Sequence, residues 1–258
     1  MRVVLHADDF GASADTVRAT IECYEQGALT SASIMPAMPA TAEAVEFARA
    51  NPDLDVGVHL TFVGEGDERP LSPRDEIAGL VDENGRFLAT RTIRLRALAR
   101  RLPVEQIERE MTAQISAVRD HGVEISHVDS HRHVHKLPSF REALARVLPA
   151  LGIERVRAVQ DVYLRKPRKS PTYWLGGRWQ KELARRFTTT DHMYMPTSAA
   201  DVAWEQPLAE IARGLNGTLE VGVHPGYGGW RDGERTSVLA FAELARRDGH
   251  ELVSWKAL

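Results

Sequence analysis

Short β-branched runs alternate with amphipathic helical patterns from one end of this chain to the other, and that alternation most narrows its fold. Strands are predicted at Arg2–Ala7, Ser31–Met35, Asp55–Leu60, Glu124–Val128, Glu154–Val159, His192–Met195, Thr218–His224 and Glu251–Trp255. Between them lie helical patterns. One runs from about Ala14 to Ala28, with Val17, Ile21 and Tyr24 on one stripe, Ser13 as N-cap and Gly27 near its end. Thr41 is read as the cap of a second helix, which Asn51-Pro52 breaks. Pro103–His121 repeats apolar Ile107, Met111, Ile115 and Val118 at helical spacing. Ser139–Leu151 ends at Gly152, and helices around Asp201–Leu215 and Ser237–Arg247 precede the last strands. Such alternation predicts a parallel sheet, and about seven or eight units predict a distorted, TIM-barrel-like (β/α) barrel rather than an open doubly wound sheet. No Gly-x-Gly-x-x-Gly follows the first strand, which removes the usual support for a dinucleotide fold.

The chain's 258 residues suit a single α/β domain spanning 1–258, with no repeat or linker to divide it. A formal charge of -3 gives no general attraction to nucleic acid. No apolar run reaches the roughly 20 residues of a transmembrane helix. The opening MRVVLHADDFG reads as a strand and not as a signal peptide. The single Cys23 sits in a helical pattern and is expected to be a buried structural thiol, which fits a reducing, cytoplasmic setting.

Two insertions interrupt the alternation. Phe62–Leu102 contains Leu80-Val81-Asp82-Glu83-Asn84-Gly85-Arg86-Phe87, in which Asn-Gly signals a hairpin. Asp161–Thr190 gathers Arg165, Lys166, Arg168, Lys169, Arg178, Lys181, Arg185 and Arg186 against only Asp161 and Glu182. Tyr173, Trp174 and Trp179 sit among these bases and are candidates for a substrate lid or a membrane contact. The plainer reading, a solvated basic segment with its aromatics buried against the barrel, is preferred.

The chemistry concentrates where strands end. Asp8 and Asp9 follow the first strand, His59 ends the third, Asp129, His131, His133 and His135 follow the fourth, and His224 ends a late one. In a barrel those ends share one face, so four distant segments converge on one pocket. Taken singly, Asp8-Asp9, His59 and His224 are as compatible with turns and satisfied core positions as with a site. Three histidines at period two are harder to assign to packing. If that segment is extended, residues two apart lie roughly 6.6 Å from each other and residues four apart roughly 13 Å. Metal–ligand bonds are about 2.0–2.2 Å, so only one or two of the run can serve one ion. Mixed Asp and His without thiolate suits a catalytic divalent ion with open positions. Asp8-Asp9 can supply a ligand and a base, and His224 an acid.

At these residues the chain resembles the YdjC-like family of carbohydrate deacetylases, which includes chito-oligosaccharide deacetylases and hopanoid-biosynthesis-associated members. The matching segments are Ala7-Asp8-Asp9-Phe10-Gly11, Leu29-Thr30-Ser31-Ala32-Ser33, Gly57-Val58-His59-Leu60-Thr61, Ser126 through His135, and Glu220 through Gly226. The resemblance implies a distorted (β/α) barrel with one divalent ion (Zn, Mg, Co, Ni or Mn) held by Asp9, His59 and His131. It implies Asp8 as general base and His224 as acid, with Asp129, Arg132, His133 and His135 supporting the ligands or touching substrate. His6 stands where the family often has Asn or Thr, and Arg132 where the oligosaccharide enzymes commonly have His. Both departures leave the substrate open.

The expected reaction is removal of an N-acetyl group from an amino sugar or glycolipid, with a homodimer as the assembly to test. The alternatives are a single-metal hydrolase of a phosphoester or cyclic amide, and a sugar-binding protein that retains the pocket without turnover. A two-metal phosphoesterase would need more carboxylates than this set offers.

Overall fold

A computed structural model of the chain describes residues 1–168, 170–196 and 203–258. Its strands are β1 (Arg2–Phe10), β2 (Ser31–Ile34), β3 (Asp55–Leu60), β4 (Val128–Ser130), β5 (His192–Tyr194), β6 (Thr218–Val223) and β7 (Glu251–Leu252). Its helices are α1 (Ala14–Glu25), α2 (Thr41–Ala50), α3 (Thr90–Leu98), α4 (Val104–Arg119), α5 (Pro138–Ala150), α6 (Pro171–Ala184), α7 (Glu205–Ala212) and α8 (Trp230–Arg247). The strands run parallel in the order β4-β3-β2-β1-β6-β5, and β7 pairs with the foot of β1 through Arg2–Glu251 and Val3–Leu252.

The sheet curls toward closure through single bridges: Val156 beside Val128, Thr188 beside Arg155, and Val162 beside Tyr194. The alternation therefore does produce a distorted (β/α) barrel. The expected strand Glu154–Val159 is reduced to the first two of those bridges, since it meets only the start of the three-residue β4 on one side and Thr188, outside any strand, on the other. Val3, Leu5, Val56, Val58, Leu219 and Val221 are buried, as both faces of a helix-covered parallel sheet require.

Local signals act largely as expected. Ser13 and Thr16 form a reciprocal capping box on α1, and Cys23 is fully buried within it, where burial pushes its thiol up to about 12. Thr41 does not cap α2: its hydroxyl donates to Met35 O at 2.7 Å and Ala40 takes the cap position. Ile107, Met111, Ile115 and Val118 bury one face of α4. Val81 and Phe87 pair antiparallel around Gly85, whose φ of 73° is the left-handed conformation that glycine adopts without penalty. α8 begins at Trp230, seven residues before the expected Ser237, and residues 201 and 202 of the expected Asp201–Leu215 helix lie outside those described, as does Lys169.

One prediction about local structure fails. Residues His131–Lys136 are a tight 3-10 turn and not an extended segment, with Arg132 and His133 at φ 56° and 53°. The cause is Ser130 at the end of β4. Its Oγ accepts from the His135 backbone N–H at 3.0 Å and contacts His135 Nδ1 at 2.8 Å, which folds the chain back on itself. The spacing argument for an extended run therefore loses its premise, and the three histidines point to three different places.

Candidate metal centre

β1 carries the first two acids of the site. In a regular strand, consecutive side chains face opposite sides. The β1–β2 register slips between Ala7 and Phe10, and Asp9 takes φ 58°, so this bulge turns Asp8 and Asp9 toward the same pocket. Asp tolerates the left-handed region better than most residues, at a cost of about 1 kcal/mol.

His59 comes from the end of β3, directly beside Asp129 on β4. Its Nδ1–H donates to Asp129 Oδ1 at 2.9 Å, which turns Nε2 toward Asp9 Oδ1, 3.4 Å away. His131, the first residue after β4, places Nδ1 3.1 Å from the same Asp9 oxygen. Glu68 from the first insertion stands behind its other nitrogen at 3.9 Å. Asp9, His59 and His131 thus offer donor atoms within 4.8 Å of one another, a set that could hold a metal ion. The second oxygen of Asp9 accepts from Arg231 at 2.7 Å.

The donors' chemistry fits such an ion. Burial alone would keep His59 neutral, but Asp129, Asp8 and Asp9 outweigh it and push His59 up to about 9. Burial opposes the charge on Asp9 too, yet the hydrogen bond from His131 and the nearby His224 hold it well below the usual carboxylate range. Carboxylates that raise the proton affinity of His59 would equally favour a cation held between the same donors.

His6, Asp8 and Asp129 form a second cluster of possible ligands, but a guanidinium already holds its cation position. Arg157, fully buried, spans Asp8 with two 2.6 Å bonds, reaches Asp129 Oδ2 at 2.7 Å and donates from Nε to Glu220 at 2.7 Å. Burial disfavours a charged Asp8, but Arg157 and His59 overcome this and lower its pKa. For Glu220 burial prevails and the pKa rises. Ser33 joins the network by donating to Asp129 Oδ2 at 3.0 Å.

Opposite Asp8, His224 follows β6 with Nε2 3.9 Å from Asp8 Oδ2. Its Nδ1 meets Glu234 of α8 at 3.1 Å, and the same carboxylate accepts the His224 backbone N–H at 2.7 Å. Burial acts against protonation of His224, but Glu234 more than compensates and its pKa rises. These groups line a pocket of about 500 Å³ together with Arg94, Arg132, His133, Gln160 and Trp230.

The structure brings Asp8, Asp9, His59, His131 and His224 to that pocket, with Asp129 beneath His59. His133 reaches its wall and contacts Met195 Sδ at 3.0 Å. His135 turns away into the protein, where burial drives it down to about 3. Arg132 stands at the rim, paired with Glu65. Tyr173, Trp174 and Trp179 do not line the pocket. Trp179 is buried beside Arg141, Trp174 is 69% exposed and donates to Arg168 O, and Tyr173 packs edge-on against Tyr163. Sequence reasoning gave no role to Arg157, Arg231 or Glu234 and left Glu220 as part of a motif. A lone charge inside an apolar strand pattern, as in Val156-Arg157-Ala158-Val159 and Leu219-Glu220-Val221, was the available signal, because a buried charge must be paired.

A family model described as YdjC-like protein matches residues 2–249. The chain is 39% identical over 137 residues to carbohydrate deacetylase 1 of Listeria innocua, covering 53% of this chain and 54% of that protein. It is 30% identical over 233 residues to a carbohydrate deacetylase of Brevibacillus brevis, covering 88% and 82%. The alignment thus spans about half the length of the Listeria relatives and most of the Brevibacillus one. Among solved structures, an Enterococcus faecalis protein with a proposed role in cellobiose-phosphate cleavage superposes with a TM-score of 0.80 at 22% identity, covering 99% of this chain and 98% of that one. A lactam utilization protein from Thermus thermophilus gives 0.55 at 16% identity, covering 98% and 100%. Both structures bear on the fold alone. With the model matched across nearly its whole length, the chain belongs to the YdjC-like family.

Proposed function

We propose that this protein is a metal-dependent hydrolase that removes an N-acetyl group from an amino sugar or glycoconjugate, releasing acetate and a free amine. The observation that carries this reading is the placement of Asp8 and His224, 3.9 Å apart, in one pocket beside the Asp9–His59–His131 donor set. The carbohydrate deacetylase relatives supply the substrate class. A divalent ion bound there lowers the pKa of water and polarises the amide carbonyl.

The chain's own groups do the rest. Asp9, His59 and His131 would hold the ion, and Asp129, accepting from His59 Nδ1, leaves Nε2 free to act as a ligand. Asp8 takes the proton of the attacking water. Arg157 holds both of its oxygens, which fixes the carboxylate's orientation. Glu234 keeps the His224 Nδ1 proton, leaving the Nε2 proton to pass to the leaving nitrogen. Trp230 meets His224 edge-on at 5.4 Å between ring centroids and helps hold the imidazole in place. A single buried donor set with one base and one acid suits amide hydrolysis better than two-metal phosphoester cleavage.

Acetate release from a panel of N-acetylated sugars and glycolipids, with and without added divalent metals, tests the reading. Wild type turns over with metal, and Asp8→Asn and His131→Ala fall by about 10²-fold or more. Metal-loaded protein that releases no acetate but cleaves a phosphoester would refute it.

A further inference from the structure

Two helices flanking the site carry exposed side chains that neither catalysis nor folding requires. α3 and the residues after it carry Arg91, Arg94, Arg96, Arg100 and Arg101, and no acid occurs between Phe87 and Val104. Its buried face is only Ile93 and Ala97, whereas Leu95 is 57% and Leu98 36% exposed. Arg91, Leu95 and Leu98 fall on one helical face at three- and four-residue spacing. α6 repeats the pattern. Trp174 and Leu175 are exposed at its first turns, followed on the same side by exposed Arg178, Lys181 and Arg185. Arg178 pairs with Glu182, a carboxylate that Arg141 shares.

The two helices are connected through α5. Arg100 reaches Glu142 of α5 at 3.6 Å, Arg141 of α5 reaches Glu182 of α6, and a cleft of about 550 Å³ between them is lined by Arg100, Arg141, Arg146, Arg185 and Arg186. Arg94 of α3 also lines the pocket of the metal centre. Gly176 in the early part of α6 lies against Val159 and the Gln160 carbonyl, and Gln160 lines the pocket, so the Trp174 turn lies toward the face of the barrel where the strands end.

We infer that α3 and α6 form a docking face for an anionic phospholipid surface. Exposed Leu and Trp between basic side chains are the composition of an interfacial helix, with the apolar groups entering the headgroup boundary and the bases meeting anionic lipid. The charge is local to this face, since the whole chain is at -3. Nucleic acid would meet the bases but leaves Leu95, Leu98 and Leu175 without a role. Docking places the pocket mouth at the lipid boundary, where a glycolipid headgroup is within reach. Only that last consequence rests on the deacetylase reading.

Vesicle flotation of the full chain separates the two, because it needs no turnover. The protein floats with vesicles containing phosphatidylglycerol and not with pure phosphatidylcholine, and high salt releases it. Each basic side chain contributes about a factor of five near an anionic surface, so Arg178→Ala with Lys181→Ala weakens partitioning about thirtyfold. Tryptophan emission shifts to the blue on binding in wild type and by less in Trp174→Phe, where only Trp230 at the pocket mouth still responds, and the substituted side chains are exposed enough to leave folding intact. Absence of flotation with anionic vesicles, or equal flotation of the double variant, overturns the proposal. A blue shift undiminished in Trp174→Phe, or conversion of the face into a dimer contact with no lipid binding, overturns it as well.

Discussion

Arg157 holds together a barrel interior that would otherwise repel itself. Asp8, Asp129 and Glu220 converge on its guanidinium at 2.6–2.7 Å, all at most 2% exposed. Removing one member of a buried ion network leaves uncompensated charge, which costs far more than the intact network contributes. Arg157→Met should therefore lose about 3–5 kcal/mol of unfolding free energy in urea titration. Glu220 is different. Burial raises its pKa and, among the described residues, its Oε2 has no hydrogen-bond partner, so a neutral amide replaces it at less cost than a neutral side chain replaces Arg157. Glu220→Gln should stay within about 1 kcal/mol of wild type. Equal losses in the two variants would show that Glu220 is ionised and shares in the network. Individual residues were legible in the sequence where a motif or strand end marked them, as with Asp9, His59 and His131. Arg157 and Glu234 were not, because their partners lie 149 and 10 positions away and nothing local marks the pairing.

At the scale of elements, strand ends were readable and turn geometry was not. The apolar runs of β1, β3 and β6 end in acids or histidines, and each delivers its group to the pocket. The histidine run was misread because its direction depends on Arg132 and His133 adopting positive φ, which no sequence rule demands of Arg or His. The strand β3 also depends on a missing side chain. A Cβ on Gly57 would come within 2.4 Å of His127 Nε2, and the His127 ring is itself stacked on Trp255 at 5.0 Å. The ring therefore cannot retreat without displacing the tryptophan. Gly57→Ala should destabilise by about 1–3 kcal/mol, and it should lower metal affinity too, since His59 lies two residues along the same strand. Thermal unfolding with and without metal checks both. A variant as stable as wild type would show that the His127–Trp255 stack can yield.

For the whole molecule, the barrel was foreseeable from alternation, whereas its closure by single bridges was not, because it depends on which short segments happen to lie side by side. The three donor residues come from β1, β3 and the turn after β4, so an ion held between them links segments up to 122 positions apart. Ligand that binds only the folded state stabilises it by mass action, about 2.7 kcal/mol at a hundred times the dissociation constant. Zinc, cobalt, nickel or manganese should raise the melting temperature of wild type, leave His59→Ala unmoved, and lose the effect on chelation. A shift retained in His59→Ala would place the ion elsewhere.

The guanidinium beneath that donor set has a consequence for the protein's life with and without its ion. Because Arg157 neutralises the deeper carboxylates permanently, the framework does not rely on a transient guest to stay assembled. An ion bound at the proposed donor set should therefore be removable without loss of the fold, and circular dichroism before and after chelation checks this.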